Sequence, residues 1–176
     1  MSTISRTALV VLCVVLAGCG SGGGKAKTSP RALSTGVRFT STDFKPGGML
    51  PKDTTCDGAG RKPALRIAGV PSGTTALVLI EHDPDAPSGD FTHWTVYDIP
   101  PGARTPTGTE GLNQLDKPGY AAACPPSGDT PHRYVFDLYA LRARTGLARG
   151  AAPDAVRAAV GKLASARGEL VATYGR

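Results

Sequence analysis

The chain has 176 residues, of which 40% are hydrophobic and 19% are charged, and its formal net charge is +6. These values are ordinary for a globular protein and argue against a disordered chain. The length allows one domain, or one domain with a targeting segment. Lysine and arginine are scattered along the sequence rather than clustered, which disfavours nucleic-acid binding. The positive surplus suits a surface facing anionic lipid or cell wall, but charge alone does not choose a function.

The N-terminal segment has the features of an export signal. Arg6 precedes an apolar run from Ala8 to Ala17, which is too short to span a bilayer but has the length of a signal-peptide core. Residues 16–19, Leu-Ala-Gly-Cys, resemble the bacterial lipobox, which implies cleavage after residue 18 and diacylation of Cys19. The competing interpretation, a secretory leader with a chance cysteine, is less favoured because the motif lies at the end of the apolar core. Residues 1–18 are therefore predicted to be a lipoprotein signal peptide, with the mature protein lipid-anchored at the extracytoplasmic face of the cell membrane.

Residues 19–36 are rich in glycine, serine, lysine and threonine and show no apolar periodicity, which predicts a flexible linker. Gly24 and Lys25 do not form a phosphate-binding loop. Cys19 stands where that motif needs its first glycine, Ala26 replaces serine or threonine, and no strand precedes the segment. The folded domain is accordingly predicted over residues 37–176.

The domain is predicted to be mainly β. Residues 75–81 (TALVLIE) form an apolar run typical of a strand that is buried on both faces. Residues 91–99 and 133–141 alternate and are rich in β-branched and aromatic residues. A helix is predicted to begin at Pro153, with a possible glycine cap at Gly168. With weaker strands at residues 37–39, 64–67 and 169–174, the pattern predicts a β-sandwich with one or two short helices near the C-terminus.

Polar residues concentrate in three segments at predicted strand ends. They are residues 81–87 (EHDPDAP), 91–94 (FTHW) and 124–134, the last beginning with Cys-Pro-Pro and ending with His-Arg-Tyr. Taken singly, an aspartate before proline is usually a turn residue and a histidine on a strand is usually structural. Together they predict a small polar pocket, in which imidazole and phenol groups hold phosphate oxygens and carboxylates hold an ammonium group. A zwitterionic headgroup fits this mixture better than a nucleotide.

These same blocks resemble the signature of the phosphatidylethanolamine-binding protein family, in particular its bacterial branch related to the Raf-kinase inhibitor proteins. The similarity extends from about Phe39 to the C-terminus. It implies a β-sandwich with an anion pocket for phosphate or phosphorylethanolamine, and a possible cis bond at Asp83-Pro84 or Ala86-Pro87. The ligand-binding residues that we assign on this basis are Asp83, Asp85, Pro87, His93, Ala122, Cys124, Pro125, His132 and Tyr134.

Two positions depart from the family pattern. Residues 121–123 are Ala-Ala-Ala, where bacterial relatives often carry Gly-Gly-Pro. A methyl group there is expected either to narrow the pocket or to alter which backbone N–H groups face the ligand. His82 occupies a place where relatives commonly have an acid, which changes the local charge by one unit.

Four cysteines are present, of which Cys13 belongs to the leader and Cys19 to the lipid anchor. Cys56 and Cys124 remain, and we favour a disulfide between them because export makes oxidation the default. Closing so long a loop would stabilise the fold by about 4 kcal/mol in the chain-entropy model. The alternative is a free Cys124 thiol that acts as a nucleophile near His132.

Catalysis is not predicted, because the chain lacks a Gly-x-Ser-x-Gly elbow, a His-Glu-x-x-His helix and a dinucleotide fingerprint. No cofactor or metal is expected: Asp83, Asp85, His93 and His132 are of metal-ligating types, but their spacing matches no familiar site. The leading hypothesis is a binding protein for a phosphate-bearing small molecule or lipid headgroup. Two alternatives stay open: an interaction protein that inhibits a kinase or protease at the envelope, with an unknown protein partner, and a His/Asp hydrolase or metal enzyme.

Overall fold

The computed structural model describes residues 33–176. The predicted signal peptide, the lipidation site at Cys19 and most of the predicted linker lie outside the described residues. The last linker residues are part of the fold, because Ser34 accepts a hydrogen bond from the Arg167 backbone N–H at 2.9 Å. The folded domain therefore includes a few residues before position 37.

Seven strands and one α-helix make up the described part of the chain. The strands are β1 (Arg38–Ser41), β2 (Leu65–Gly69), β3 (Ala76–Asp83), β4 (Phe91–Ile99), β5 (Thr109–Glu110), β6 (His132–Leu141) and β7 (Ala164–Tyr174). The helix α1 spans Pro153–Leu163, and a short 3-10 helix spans Lys52–Thr54. All six strands that the sequence pattern predicts are present, and the mainly β fold with a helix near the C-terminus is confirmed.

The strands form two antiparallel sheets. Strands β1 and β2 pair with each other, and the larger sheet has the order β5-β4-β3-β6-β7. Strand β3 is central and is covered on both faces, which explains its continuous apolar sequence. Leu77 and Leu79 face the core that includes β1 and β2. Val78 and Ile80 face a second core that includes α1.

The helix begins where the sequence predicts, with Pro153 in its first turn, and it ends at Leu163. Gly168 does not cap it, so that prediction is wrong. Gly168 lies inside β7, where a Cβ atom would come within 2.2 Å of the Val37 carbonyl oxygen. The residue is glycine because two backbones approach closely there. No helix within residues 33–176 has both the length and the apolar character needed to span a bilayer.

Candidate functional site

A cavity of about 370 Å³ opens at one edge of the larger sheet. Because the strands are antiparallel, the end of β3 lies beside the beginnings of β4 and β6, and this brings Asp83, His93 and His132 to the same edge. Eight of the nine predicted ligand residues line the cavity. They are Asp83, Pro87, His93, Ala122, Cys124, Pro125, His132 and Tyr134.

A β-bulge directs one of these side chains into the cavity. Trp94 pairs with Glu81 and Thr92 pairs with His82, so that His93 has no partner across from it. The extra residue bends the strand locally, and the imidazole of His93 lines the same cavity as Asp83 and Tyr134. The sequence pattern cannot show that His93 and Tyr134 line the same cavity. The register between their strands decides which face each side chain takes, and the sequence does not give that register.

Asp83 and His132 form a buried pair at the base of the cavity. The Nδ1 atom of His132 lies 2.8 Å from Oδ2 of Asp83, and both side chains are almost fully buried. The other carboxylate oxygen of Asp83 accepts the Asp85 backbone N–H at 2.8 Å. The carboxylate therefore fixes both the orientation of the imidazole and the loop after β3. With Nδ1 directed at the carboxylate, Nε2 of His132 is the atom left for a ligand.

A backbone carbonyl and two aromatic rings hold the side chain of His93. Its Nδ1 atom lies 2.8 Å from the Ala121 carbonyl oxygen, to which it donates, and its ring packs between Phe91 and Tyr134 at centroid distances of 4.7 and 5.2 Å. Burial lowers the pKa of His93, so the ring is neutral near pH 7. A neutral ring that donates through Nδ1 presents Nε2 as a hydrogen-bond acceptor.

Tyr134 supplies a donor that no residue described in the structure uses. Its hydroxyl group is buried and has no hydrogen-bond partner within residues 33–176. Burial raises its pKa, and the nearby carboxyl groups of Asp83 and Glu81 raise it further, so the phenol keeps its proton. An unsatisfied buried hydroxyl is costly, and a ligand oxygen in the cavity would satisfy it.

The wall of the cavity at residues 121–125 is fixed by a disulfide and by backbone pairing. Cys56 and Cys124 are bonded, with their Cα atoms 5.3 Å apart, which confirms the predicted bridge and leaves no free thiol at Cys124. The backbone N–H of Cys56 donates to Ala123 at 3.0 Å, and that of Ala121 donates to His93 at 2.8 Å. Ala121 and Ala122 line the open cavity, whereas Ala123 is fully buried behind it.

Asp85 is the one predicted ligand residue that does not line the cavity. Its carboxylate accepts hydrogen bonds from Arg133, from Nε at 2.9 Å and from Nη2 at 2.7 Å. This contact lowers the pKa of Asp85 to about 2. The pair ties the loop after β3 to the start of β6 on the protein surface, so Asp85 acts on the site only by holding that loop.

Sequence reasoning missed the apolar part of the cavity, above all Phe91 and Leu115. Leu115 is 56% exposed at the rim, an unusual position for a leucine. Asn113 shapes its loop by accepting the Leu115 backbone N–H at 2.9 Å and donating to Gly119 at 3.1 Å. The sequence signal for Leu115 is slight: the residue stands between Gln114 and Asp116 in a polar loop.

Two further expectations are corrected or qualified. Every described peptide bond is trans, including Asp83-Pro84 and Ala86-Pro87, whose state the sequence left open. His82 lies on the opposite face from the cavity, beside Asp90 and Asp137. Burial lowers the pKa of His82, but its contacts with Asp137 and Asp90 raise it by more, and the net shift is upward.

Within the described range, no three His, Cys, Asp or Glu side chains are grouped as a metal site.

Comparison with known proteins agrees with the fold and with the blocks that build the cavity. The sequence profile of the phosphatidylethanolamine-binding proteins matches residues 40–175. The chain belongs to this family. The structure superposes on the crystal structure of Escherichia coli YbcL, described as a member of the mammalian PEBP family, with a TM-score of 0.75 and 29% identity. That match covers 81% of this chain and 99% of YbcL.

Two further relatives are similar over all or nearly all of the chain. "UPF0098 protein PH1269" of Pyrococcus horikoshii is 34% identical over 189 residues, covering 100% of this chain and 91% of the relative. "Putative lipoprotein LppC" of Mycobacterium tuberculosis is 33% identical over 198 residues, covering 98% of each chain.

Proposed function

We propose that this protein is a membrane-anchored, extracytoplasmic binding protein whose cavity holds the phosphate-bearing headgroup of a lipid, such as phosphorylethanolamine. The observation that carries the proposal is the unsatisfied hydroxyl of Tyr134 beside the oriented pair of Asp83 and His132. One phosphate oxygen would accept from the Tyr134 hydroxyl, and a second would contact Nε2 of His132, the ring nitrogen that does not face Asp83.

The remaining groups suit the other end of a zwitterion. Asp83 and the neutral His93 offer acceptors for an ammonium group. Among residues 33–176, no lysine or arginine lines this cavity, so a bare dianion would find little charge there to balance it. The rim is apolar, with Phe91 and the exposed Leu115, and it would contact the hydrocarbon part of a lipid.

The decisive test removes a single oxygen atom. Tyr134→Phe is expected to weaken binding of phosphorylethanolamine about tenfold, because one hydrogen bond to a charged group is lost. The same change is expected to raise the free energy of unfolding by roughly 1 kcal/mol, since the hydroxyl is unsatisfied without ligand. Calorimetric titration and urea unfolding of the full-length protein in phospholipid-free detergent measure the two effects.

His132→Ala is the second variant and His82→Gln the matched control, because His82 lies outside the cavity. We expect His132→Ala to lose binding of phosphorylethanolamine and His82→Gln to bind it as tightly as the wild type. Equal affinity of the wild type, Tyr134→Phe and His132→Ala would show that the headgroup binds elsewhere or acts through another surface.

Membrane anchoring is supported by the lipobox at residues 16–19 and by the lipoprotein name of a full-length relative. Cys19→Ser is expected to move the protein from the membrane pellet to the soluble extracytoplasmic fraction, because the acylated thiol is lost. Fractionation of a bacterial expression host, with Cys13→Ser as the matched control, measures the change. A Cys19→Ser protein that stays fully in the pellet would refute lipid anchoring.

A further inference from the structure

A second and larger cleft, of about 510 Å³, lies apart from the Asp83 cavity. Its walls come from the start of β2, from residues 105–110 and from the loop that precedes α1, and Trp94 forms its floor. Trp94 is 4% exposed, so the floor belongs to the core rather than to a mobile surface. None of the residues predicted to bind ligand lines this cleft.

The cleft has a surplus of positive charge. Lys62, Arg66 and Arg149 line it, and Glu110 is the one acidic residue among its lining side chains. Glu110 pairs with Lys62, whose Nζ atom also lies 5.5 Å from the centroid of the Trp94 ring. Arg66 and Arg149 form no ion pair with any residue between positions 33 and 176. Two guanidinium groups are thus left without a counter-charge at one opening.

Hydrogen bonds fix the backbone beside Arg149, and the side chains of both arginines are exposed to the opening. The residues on either side of Arg149 both form hydrogen bonds. The Ala148 carbonyl accepts from the Tyr97 hydroxyl, and the Gly150 N–H donates to the backbone carbonyl of Glu110 at 3.3 Å. Arg66 lies on β2 between the buried residues Leu65 and Ile67, so its side chain points outward.

The opposite wall approaches the sheet closely and adds hydroxyl groups. A Cβ atom on Gly108 would come within 2.6 Å of the Tyr97 carbonyl oxygen, which shows how tightly this segment packs. Thr105 and Thr107 line the cleft, and their hydroxyl oxygens lie 3.1 Å apart. Hydroxyl and guanidinium donors around one space are a combination that binds phosphate oxygens.

We propose that this basic cleft is a second ligand site, which binds small phosphate-bearing molecules that carry two or more negative charges. Its charge contrasts with that of the Asp83 cavity, which lacks lysine and arginine and contains a carboxylate. The two sites would therefore divide ligands by charge, with zwitterions in the cavity and polyanions in the cleft. This inference does not depend on the proposed headgroup function.

The test titrates full-length protein with inorganic pyrophosphate and follows the fluorescence of Trp94, the single tryptophan of the chain, together with the heat of binding. We expect saturable binding that weakens as ionic strength rises. Arg66→Gln with Arg149→Gln is expected to weaken it at least tenfold. Arg142→Gln, an exposed arginine outside the cleft, is the matched control and should leave the affinity unchanged.

Two further variants and one further ligand distinguish the possible outcomes. Glu110→Gln should strengthen pyrophosphate binding, because it removes the negative charge that neutralises Lys62. Tyr134→Phe should leave it unchanged, so loss of pyrophosphate binding in that variant would place the polyanion in the Asp83 cavity and overturn the proposal. Sulfate, a dianion without phosphorus, should bind more weakly than pyrophosphate. Absent binding, or equal affinity in the double arginine variant, would also overturn it.

Discussion

Replacing Cys56 and Cys124 with serine is expected to lower the free energy of unfolding by about 4 kcal/mol, the value that the chain-entropy model gives for a loop of this length. The two cysteines are separated by 68 positions in sequence, so the bridge closes a loop that contains β2, β3, β4 and β5. Without the bridge, the unfolded chain gains conformational freedom that the folded chain does not. Urea unfolding followed by Trp94 fluorescence measures the loss.

Two comparisons separate this entropic effect from local damage. Wild-type protein treated with dithiothreitol should match the double serine variant in stability. Both should unfold with a steeper dependence on urea than the oxidised protein, because the unbridged chain exposes more surface when unfolded. An oxidised wild type no more stable than the double variant would mean that the bridge contributes nothing net to the fold. The backbone pairing between Thr55 and Ala123 would then hold the loop alone.

The sequence predicts the centre of the fold because burial leaves a clear pattern there. The strand at residues 75–81 is apolar throughout since both of its faces are covered, one by β1 and β2 and the other by α1. The helix start is equally legible, because Pro153 stands in the first turn. By contrast, β5 has only two residues, Thr109 and Glu110, and too few positions to show any period.

The errors have physical causes that a local pattern cannot contain. Gly168 looks like a helix cap, but it is glycine because the Val37 carbonyl passes 2.2 Å from where its Cβ would be, a contact across 131 positions of sequence. Asp85 resembles a ligand residue, yet its carboxylate is engaged by Arg133 on β6. In both cases the partner comes from a segment distant in sequence, and its position depends on the tertiary fold.

The candidate site was easier to predict than to interpret. Eight of its residues were identified from sequence blocks, but their roles follow from hydrogen bonds that only the fold supplies. His93 and His132 have the same side chain, and one donates to a carbonyl while the other donates to a carboxylate. The basic cleft gave no sequence signal at all, because Lys62, Arg66 and Arg149 belong to separate segments.

Glu81→Gln is expected to stabilise the protein increasingly as the pH rises above about 4.5, where glutamate ionises in an unfolded chain. Glu81 is 0% exposed, at the centre of the sheet, and neither of its carboxyl oxygens has a hydrogen-bond partner among the described residues. Its neighbours across the strands are Trp94 and Phe136, which offer no compensating charge. Burial therefore raises the pKa of Glu81 well above its ordinary value.

The sign of the pH effect follows from proton counting. Between the two pKa values, the unfolded chain has released the proton of residue 81 and the folded chain has kept it. The wild type therefore loses stability as the pH rises, at roughly 1 kcal/mol for each pH unit, until the folded pKa is reached. Glutamine carries no proton to release, so the stability difference between Glu81→Gln and the wild type should widen with that slope.

Urea unfolding of both proteins between pH 4 and pH 8, again followed by Trp94 fluorescence, measures this slope. Glu169→Gln is the matched control: Glu169 lies on β7, half-exposed, and pairs with Arg167, so its stability difference from the wild type should show no comparable rise with pH. A flat difference for Glu81→Gln would mean that the carboxyl group ionises as readily in the folded protein as in the unfolded chain. Water or a cation would then have to reach Glu81 in the interior of the sheet, where its carboxyl oxygens have no hydrogen-bond partner among the described residues.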